Sequence, residues 1–257
     1  MPFLDRPGAA LYYHVIGEGP PIVFAHGLGG THASWWQQIP AFAERWTCVV
    51  FAARGFYPSR LTEPQQDGPS RVDNFVGDLA ALVEELHLDE VRLVAQSLGG
   101  WACLEYALAH PDRVPALILA DTTGTVRPAV EANPTDSEAL FERGIHPACG
   151  ERMFREQPAL HWLYRSLDEL SLGLDKRAIA VGLTAARTRS PEDLGGLAVP
   201  VLGIAGAEDV VIAPQAVRAL VSAMPNGRYE EVSAAGHSVY FERADTFNRL
   251  VKDFLSI

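Results

Sequence analysis

Ser97, His237 and Asp209 are the side chains on which this chain could build covalent chemistry. A serine hydroxyl becomes a useful nucleophile only when a base takes its proton and a third group fixes that base's tautomer. Ser97 stands in Ala95-Gln96-Ser97-Leu98-Gly99-Gly100, one methyl away from the G-x-S-x-G pattern of a strained strand-to-helix turn. Small neighbours are required there because the strand and helix backbones pass close together. His237 follows Ala234-Ala235-Gly236, in a loop after the last predicted strand and before the last helix. Asp209 comes four residues after the strand Val201 to Ala205. Glu208 beside it, and Asp121 at the end of an earlier strand, are rival acids. Asp209 is preferred because its loop leads towards the strand before His237.

A tetrahedral intermediate also needs hydrogen-bond donors for its oxyanion. The Leu98 amide directly follows the serine at a helix N-terminus, where the dipole favours negative charge. The Gly-rich turn His26-Gly27-Leu28-Gly29-Gly30 offers the Leu28 amide as a second donor. His26 itself reads as a structural hydrogen-bonder.

These groups must be carried by a regular scaffold. Short apolar runs at Ile22 to Ala25, Thr47 to Phe51, Val91 to Ala95, Ala116 to Ala120 and Val201 to Ala205 read as buried strands. Ala10 to Val15 and Arg228 to Val232 add two more. Between them lie helical patterns at Ser34 to Arg45, Val72 to Leu86, Gly99 to Ala109, Pro214 to Met224 and Phe241 to Phe254. A polar loop rich in Pro, Gln and Ser precedes the second of these helices. Strands alternating with helices imply a parallel sheet covered on both faces. From 123 to 197 the rhythm breaks into helices alone, including Ser137 to Arg143 and Pro158 to Leu167. That stretch reads as a cap inserted over the sheet's C-terminal edge, where such sheets bind ligands. The core is then 1–122 with 198–257.

Composition narrows the partners. A formal charge of −11 on 257 residues argues against nucleic acid and anionic membrane surfaces. A small-molecule substrate is the expected partner. The three cysteines, Cys48, Cys103 and Cys149, have no metal-ligand spacing, and two lie in apolar patterns. With no leader-like or membrane-spanning segment, a cytoplasmic protein with free thiols is expected.

The segments HGLGG, ARGF, AQSLGGW, GAED and AAGHSVYFE, in that order and spacing, make the chain resemble the α/β-hydrolase superfamily along nearly its whole length. The resemblance implies an α/β-hydrolase fold with a mostly parallel eight-stranded sheet and a helical lid. It assigns Ser97 as nucleophile, His237 as base, Asp209 as acid, and the Leu28 and Leu98 amides as oxyanion hole. Ala52 and Tyr57 stand where the family often has Asp and Gly, which alters the loop at the pocket mouth. Trp35, Trp162 and Tyr240 are the expected substrate-binding side chains, with Trp36, Trp101, Met153 and Phe154 as further candidates.

The expected activity is hydrolysis of an ester, thioester or lactone of a small, largely apolar molecule, with no cofactor and no metal. Carbon–carbon bond hydrolysis of a diketone, peracid formation, a lyase or cofactor-independent oxygenase, and a non-catalytic ligand receptor are the alternatives on the same scaffold.

Overall fold

The computed structural model describes residues 2–63 and 69–256, so the expected polar loop lies mostly outside the described residues. Nine strands form one sheet: β1 Phe3–Arg6, β2 Ala9–Ile16, β3 Pro21–Ala25, β4 Thr47–Phe51, β5 Arg60–Leu61, β6 Arg92–Gln96, β7 Leu117–Ala120, β8 Val201–Gly206 and β9 Gly227–Val232. Eight run in the order β1-β2-β4-β3-β6-β7-β8-β9, and the two-residue β5 pairs with β2. The segment from β4 to β9 is parallel, and β1, β2 and β5 pair antiparallel. This is the mostly parallel α/β-hydrolase fold, with β1 and β5 added to the strands legible in the sequence. β1 is half-buried and β5 has only two residues, so neither carries a long apolar run.

The strand period of two splits the interior into two cores. Val23, Val49, Leu93, Leu117 and Leu119 pack towards the helices Pro69–Glu85 and Gly99–Ala109. Ile22, Phe24, Val50, Val94 and Ile118 pack on the other face, towards the C-terminal helix Ala244–Leu255. Phe247, Val251 and Phe254 face the sheet from that helix, at the four- and three-residue spacing of one helical stripe. Two expected helices are broken. The first becomes His32–Trp35 and Ile39–Phe42, with Pro40, which lacks an N–H, in the first turn of the second piece. The last becomes Val239–Glu242 and Ala244–Leu255, interrupted at Arg243 by a non-helical backbone.

Between β7 and β8 the chain forms the helices Pro134–Glu142, Glu151–Glu156, Pro158–Glu169 and Lys176–Ala185. The only pairing of strand type in this insertion, among the described residues, is the isolated bridge between Val126 and Arg189. Cys48, Cys103 and Cys149 are free and buried. Among the described residues no helix is long and apolar enough to cross a membrane.

Polar groups fix the loops at the sheet's C-terminal edge. Arg54 donates from Nε to Asp78 Oδ2 at 2.7 Å and from Nη2 to Asp78 Oδ1 at 2.5 Å. Both side chains are almost fully buried, and Arg6 adds a longer contact at 3.3 Å. Ala52 is buried in the core with its amide bonded to the Tyr12 carbonyl, and Ser59 bridges Tyr12 and Ala52 through its hydroxyl. His26 Nε2 accepts from the Ala53 amide at 2.9 Å, which assigns the proton to Nδ1, donated to the Gly27 carbonyl at 2.8 Å. Burial pushes this imidazole down to about 4, against the opposing effect of the Gly27 hydrogen bond.

Removing one member of the buried Arg54–Asp78 pair leaves an uncompensated charge. Asp78→Ala is expected to destabilise the fold by about 3–5 kcal/mol in urea unfolding at neutral pH. His26 gives a pH signature. Its folded value of about 4 lies below the ordinary value of about 6.5, so the unfolded chain binds more protons between them. Its contribution is complete above about pH 6.5 and is lost as the pH falls towards 4. Between pH 7 and pH 5 the native chain should lose about 2 kcal/mol more stability than His26→Gln, measured by urea unfolding. Equal losses would mean that the ring is not held neutral.

Candidate active site

Ser97 sits at the junction of β6 and the helix Gly99–Ala109 with φ of +48°, a left-handed conformation that a non-glycine residue adopts only under constraint. Three hydrogen bonds impose it. The Ser97 amide donates to the Ala120 carbonyl at 3.0 Å, and the Ser97 carbonyl accepts from Gly100 N at 2.9 Å and Thr122 Oγ1 at 2.8 Å. The end of β7 and the segment that follows it thus fix the turn on both sides. A side chain at Gly99 would collide with the Ala25 carbonyl of β3, so the helix can start there only with glycine.

The imidazole of His237 lies between Ser97 and Asp209. Its Nε2 is 3.0 Å from Ser97 Oγ and its Nδ1 is 2.8 Å from Asp209 Oδ2. Asp209 Oδ1 is occupied by the amides of Val211 at 2.7 Å and Ile212 at 3.0 Å, which orients the carboxylate and leaves Oδ2 for the ring. An acceptor on Nδ1 places the proton there and turns the Nε2 lone pair to the serine hydroxyl. The side chains of His237 and Asp209 are 4% and 0% exposed, so this relay is shielded from water.

The two rival acids are engaged elsewhere. Glu208 accepts from Arg152 of the insertion at 3.1 and 2.7 Å. Asp121, fully buried at the end of β7, accepts from Gly206 N at 3.0 Å and Val239 N at 3.2 Å. Burial and the neighbouring charge of Asp209 push its carboxyl well above the usual range.

Leu28 and Leu98 flank the serine on the side of β3. A side-chain carbon placed on Gly27 would lie 3.1 Å from Ser97 Cβ, which puts the Gly-rich turn directly against the nucleophile. Neither the Leu28 nor the Leu98 amide donates to an acceptor among the described residues. Two free N–H groups beside a poised hydroxyl can stabilise a developing oxyanion.

The expected aromatic wall does not form as one surface. Trp35 is fully buried and packs in the core, 4.3 Å from the Tyr240 ring and 5.2 Å from that of Phe24. Tyr240 is equally buried among Trp35, Phe241 and Phe247. Trp162 points the other way, 69% exposed on the helix Pro158–Glu169. Size and apolarity do not distinguish a core ring from a pocket ring, and for Trp35 and Tyr240 burial in the second core decides it.

Several residues that reasoning from sequence did not single out support the site. Gln96 Nε2 donates to the His237 carbonyl at 2.8 Å and ties the base's loop to the strand carrying the nucleophile. Glu242 accepts from the amides of Gly236 at 3.1 Å, Gly150 at 3.2 Å and Ser238 at 3.3 Å, joining the His237 loop to the insertion. Burial pushes its carboxyl up, with those amides opposing. A carboxylate in the otherwise apolar run Val239-Tyr240-Phe241-Glu242 is the signal that could have found it. Tyr164 and Asp168 of the insertion close over Gly29 of the Gly-rich turn. Asp168 is held by Lys176 Nζ at 2.6 Å.

Over 270 aligned residues the chain is 29% identical to a Mycobacterium tuberculosis protein named "Putative non-heme bromoperoxidase BpoC", covering 96% of this chain and 98% of that one. It is 28% identical to a 2-hydroxy-6-oxononadienedioate/2-hydroxy-6-oxononatrienedioate hydrolase of Dechloromonas aromatica, covering 96% and 90% of the two chains. The crystal structure of the enol-lactonase from Burkholderia xenovorans LB400 superposes over the whole of both chains with a TM-score of 0.82 and 24% identity. The profile of the alpha/beta hydrolase fold matches residues 20–161, more than half of the sequence, and the chain belongs to the α/β-hydrolase family.

Proposed function

We propose that this enzyme is a serine hydrolase that cleaves an ester, thioester or lactone of a small, largely apolar molecule. The observation that carries the reading is the continuous relay from Ser97 Oγ through His237 to Asp209, at 3.0 and 2.8 Å. In this mechanism Ser97 Oγ attacks the carbonyl carbon while His237 Nε2 takes the hydroxyl proton. Asp209 stabilises the resulting imidazolium through Nδ1–H. The carbonyl oxygen, now negative, accepts from the Leu28 and Leu98 amides. As the intermediate collapses, His237 returns the proton to the leaving oxygen or sulfur, and Ser97 keeps the acyl group. Water, deprotonated by His237, then attacks the acyl-enzyme and releases the acid.

Every proton transfer in this sequence is made by the chain's own groups, so the reaction needs neither cofactor nor metal. The insertion, residues 123–197, acts as a lid: its Tyr164 and Asp168 lie over the oxyanion turn. The three buried thiols fit a reducing, cytoplasmic setting. A second reading, hydrolysis of a carbon–carbon bond in a diketone, is motivated by the name of the Dechloromonas relative. It would employ the same three side chains.

A fluorophosphonate probe should label the native protein, and Ser97→Ala should abolish labelling while thermal unfolding stays cooperative. Asp209→Asn, which offers the ring an ambiguous partner, is expected to lower kcat on the order of 10⁴-fold. A folded native chain that takes no label would sink the serine mechanism. A panel of p-nitrophenyl esters, lactones and diketones then separates the two readings by which class is turned over.

A further inference from the structure

The two connections of the helical insertion cross on one face of the nucleophile's own helix. Trp101 and Glu105, four residues apart, share that face of the helix Gly99–Ala109, which begins two residues after Ser97. The outgoing connection is held by Thr122 Oγ1, which donates to the Ser97 carbonyl at 2.8 Å, and by Thr125 Oγ1, which donates to Glu105 Oε1 at 2.5 Å. The returning connection is held by Arg187, whose guanidinium lies 5.3 Å from the centre of the Trp101 ring. It is held more firmly by Arg189, which donates from Nε to Glu105 Oε1 at 2.6 Å and from Nη2 to Oε2 at 2.7 Å. The connections also bond each other: Arg127 N donates to the Arg189 carbonyl at 2.9 Å, and Arg189 N to the Thr125 carbonyl at 3.2 Å.

One carboxylate therefore accepts from both ends of a segment more than sixty residues long. Elsewhere the insertion is bonded to the core at single acceptor atoms. Ser171 Oγ accepts from Tyr57 N at 3.0 Å, Glu242 Oε1 from Gly150 N, and Glu208 Oε1 from Nε and Nη2 of Arg152. The Glu105–Arg189 pair engages both carboxylate oxygens, which makes it more directional than contacts to one acceptor atom. The insertion is also packed on the core through Cys149, Met153 and Tyr164 on one face of the sheet and Ile179 and Leu183 on the other, and the neck is the point where both of its ends are held to one helix.

We propose that Glu105 is a positioning residue: by clamping both connections to the nucleophile's helix it fixes the insertion over Ser97, and so determines which acyl groups are held productively. Tyr164 and Asp168 of the insertion lie over the Gly-rich turn beside Ser97, so loss of the clamp is expected to penalise an acyl chain long enough to reach them more than an acetyl group. The inference rests on the serine-hydrolase reading for its substrate, but its mechanical part does not.

The test combines hydrogen exchange with a chain-length series of p-nitrophenyl esters, using Glu105→Gln and Arg189→Gln singly and together. In Glu105→Gln, which keeps the size of the side chain, amides of residues 134–185 should exchange faster while those of 99–109 do not change. KM for the octanoate ester should rise about fivefold with kcat for the acetate within about twofold, as expected for loss of a binding contact rather than of chemistry. The double variant should be no worse than either single one, since both break the same clamp. Faster exchange throughout the chain, or an equal loss for every ester, would overturn the proposal and leave Glu105 a stabilising residue only. If the native chain turns over no ester and takes no fluorophosphonate label, the catalytic reading fails. The exchange experiment still decides the clamp.

Discussion

The left-handed turn at Ser97 is the constraint on which the rest of the site depends. A left-handed conformation costs a non-glycine residue on the order of 1–3 kcal/mol, so it persists only where its surroundings leave no alternative. Here β7 supplies the Ala120 carbonyl for the Ser97 amide, and Thr122, two residues beyond β7, supplies a hydroxyl for its carbonyl. The Ala25 carbonyl of β3 presses on the start of the helix from the other side. The strained turn lifts the serine hydroxyl out of the sheet and aims it at His237. It also starts a helix beside the free amide of Leu98. One backbone conformation thus sets the hydroxyl and a free amide beside each other.

Electrostatics around the base follow a single pattern. Asp209, Asp121 and Glu242 are all buried near the His237 loop, and each is solvated by backbone amides rather than by lysine or arginine. A buried carboxylate needs such donors to compensate for lost water. Their placement gives the three different work. Asp121 joins the end of β8 to the short helix after His237, and Glu242 joins the His237 loop to Gly150 of the insertion. Asp209 satisfies one oxygen locally and leaves the other for the imidazole. An arginine at this place would compete with His237 for Oδ2, and its absence among the contacts of Asp209 keeps the ring as that oxygen's partner.

The fold was legible because the central strands are continuous apolar runs and the helices between them carry clear stripes. The order of Ser97, Asp209 and His237 was legible because each ends or follows such a strand. Short edge strands carry too little apolar pattern, and β1 and β5 escaped for that reason. Aromatic residues were misleading. Trp35 belongs to the core because its ring meets Phe24 and Tyr240, and only the packing of β3 against the final helices shows it. Gln96 and Glu105 act through partners far away in sequence, and no local spacing encodes a contact between residues 96 and 237 or 105 and 189.

The alanine at position 95 follows from the same geometry. Ala95 is the β6 residue whose register partners are Ala25 on β3 and Leu119 on β7, and its methyl is fully buried in the first core. Opposite a residue as small as Ala25, one extra methyl finds space among apolar neighbours. Gly99 also approaches Ala25, but there an added methyl would meet the backbone carbonyl as well as the Ala25 side chain and has no space. The two small positions of the motif therefore obey different rules. Position 95 is limited by side-chain packing, which a small partner relieves, and position 99 by backbone contact, which no neighbouring substitution can relieve. That difference explains why the pattern departs from glycine before the nucleophile and keeps it after.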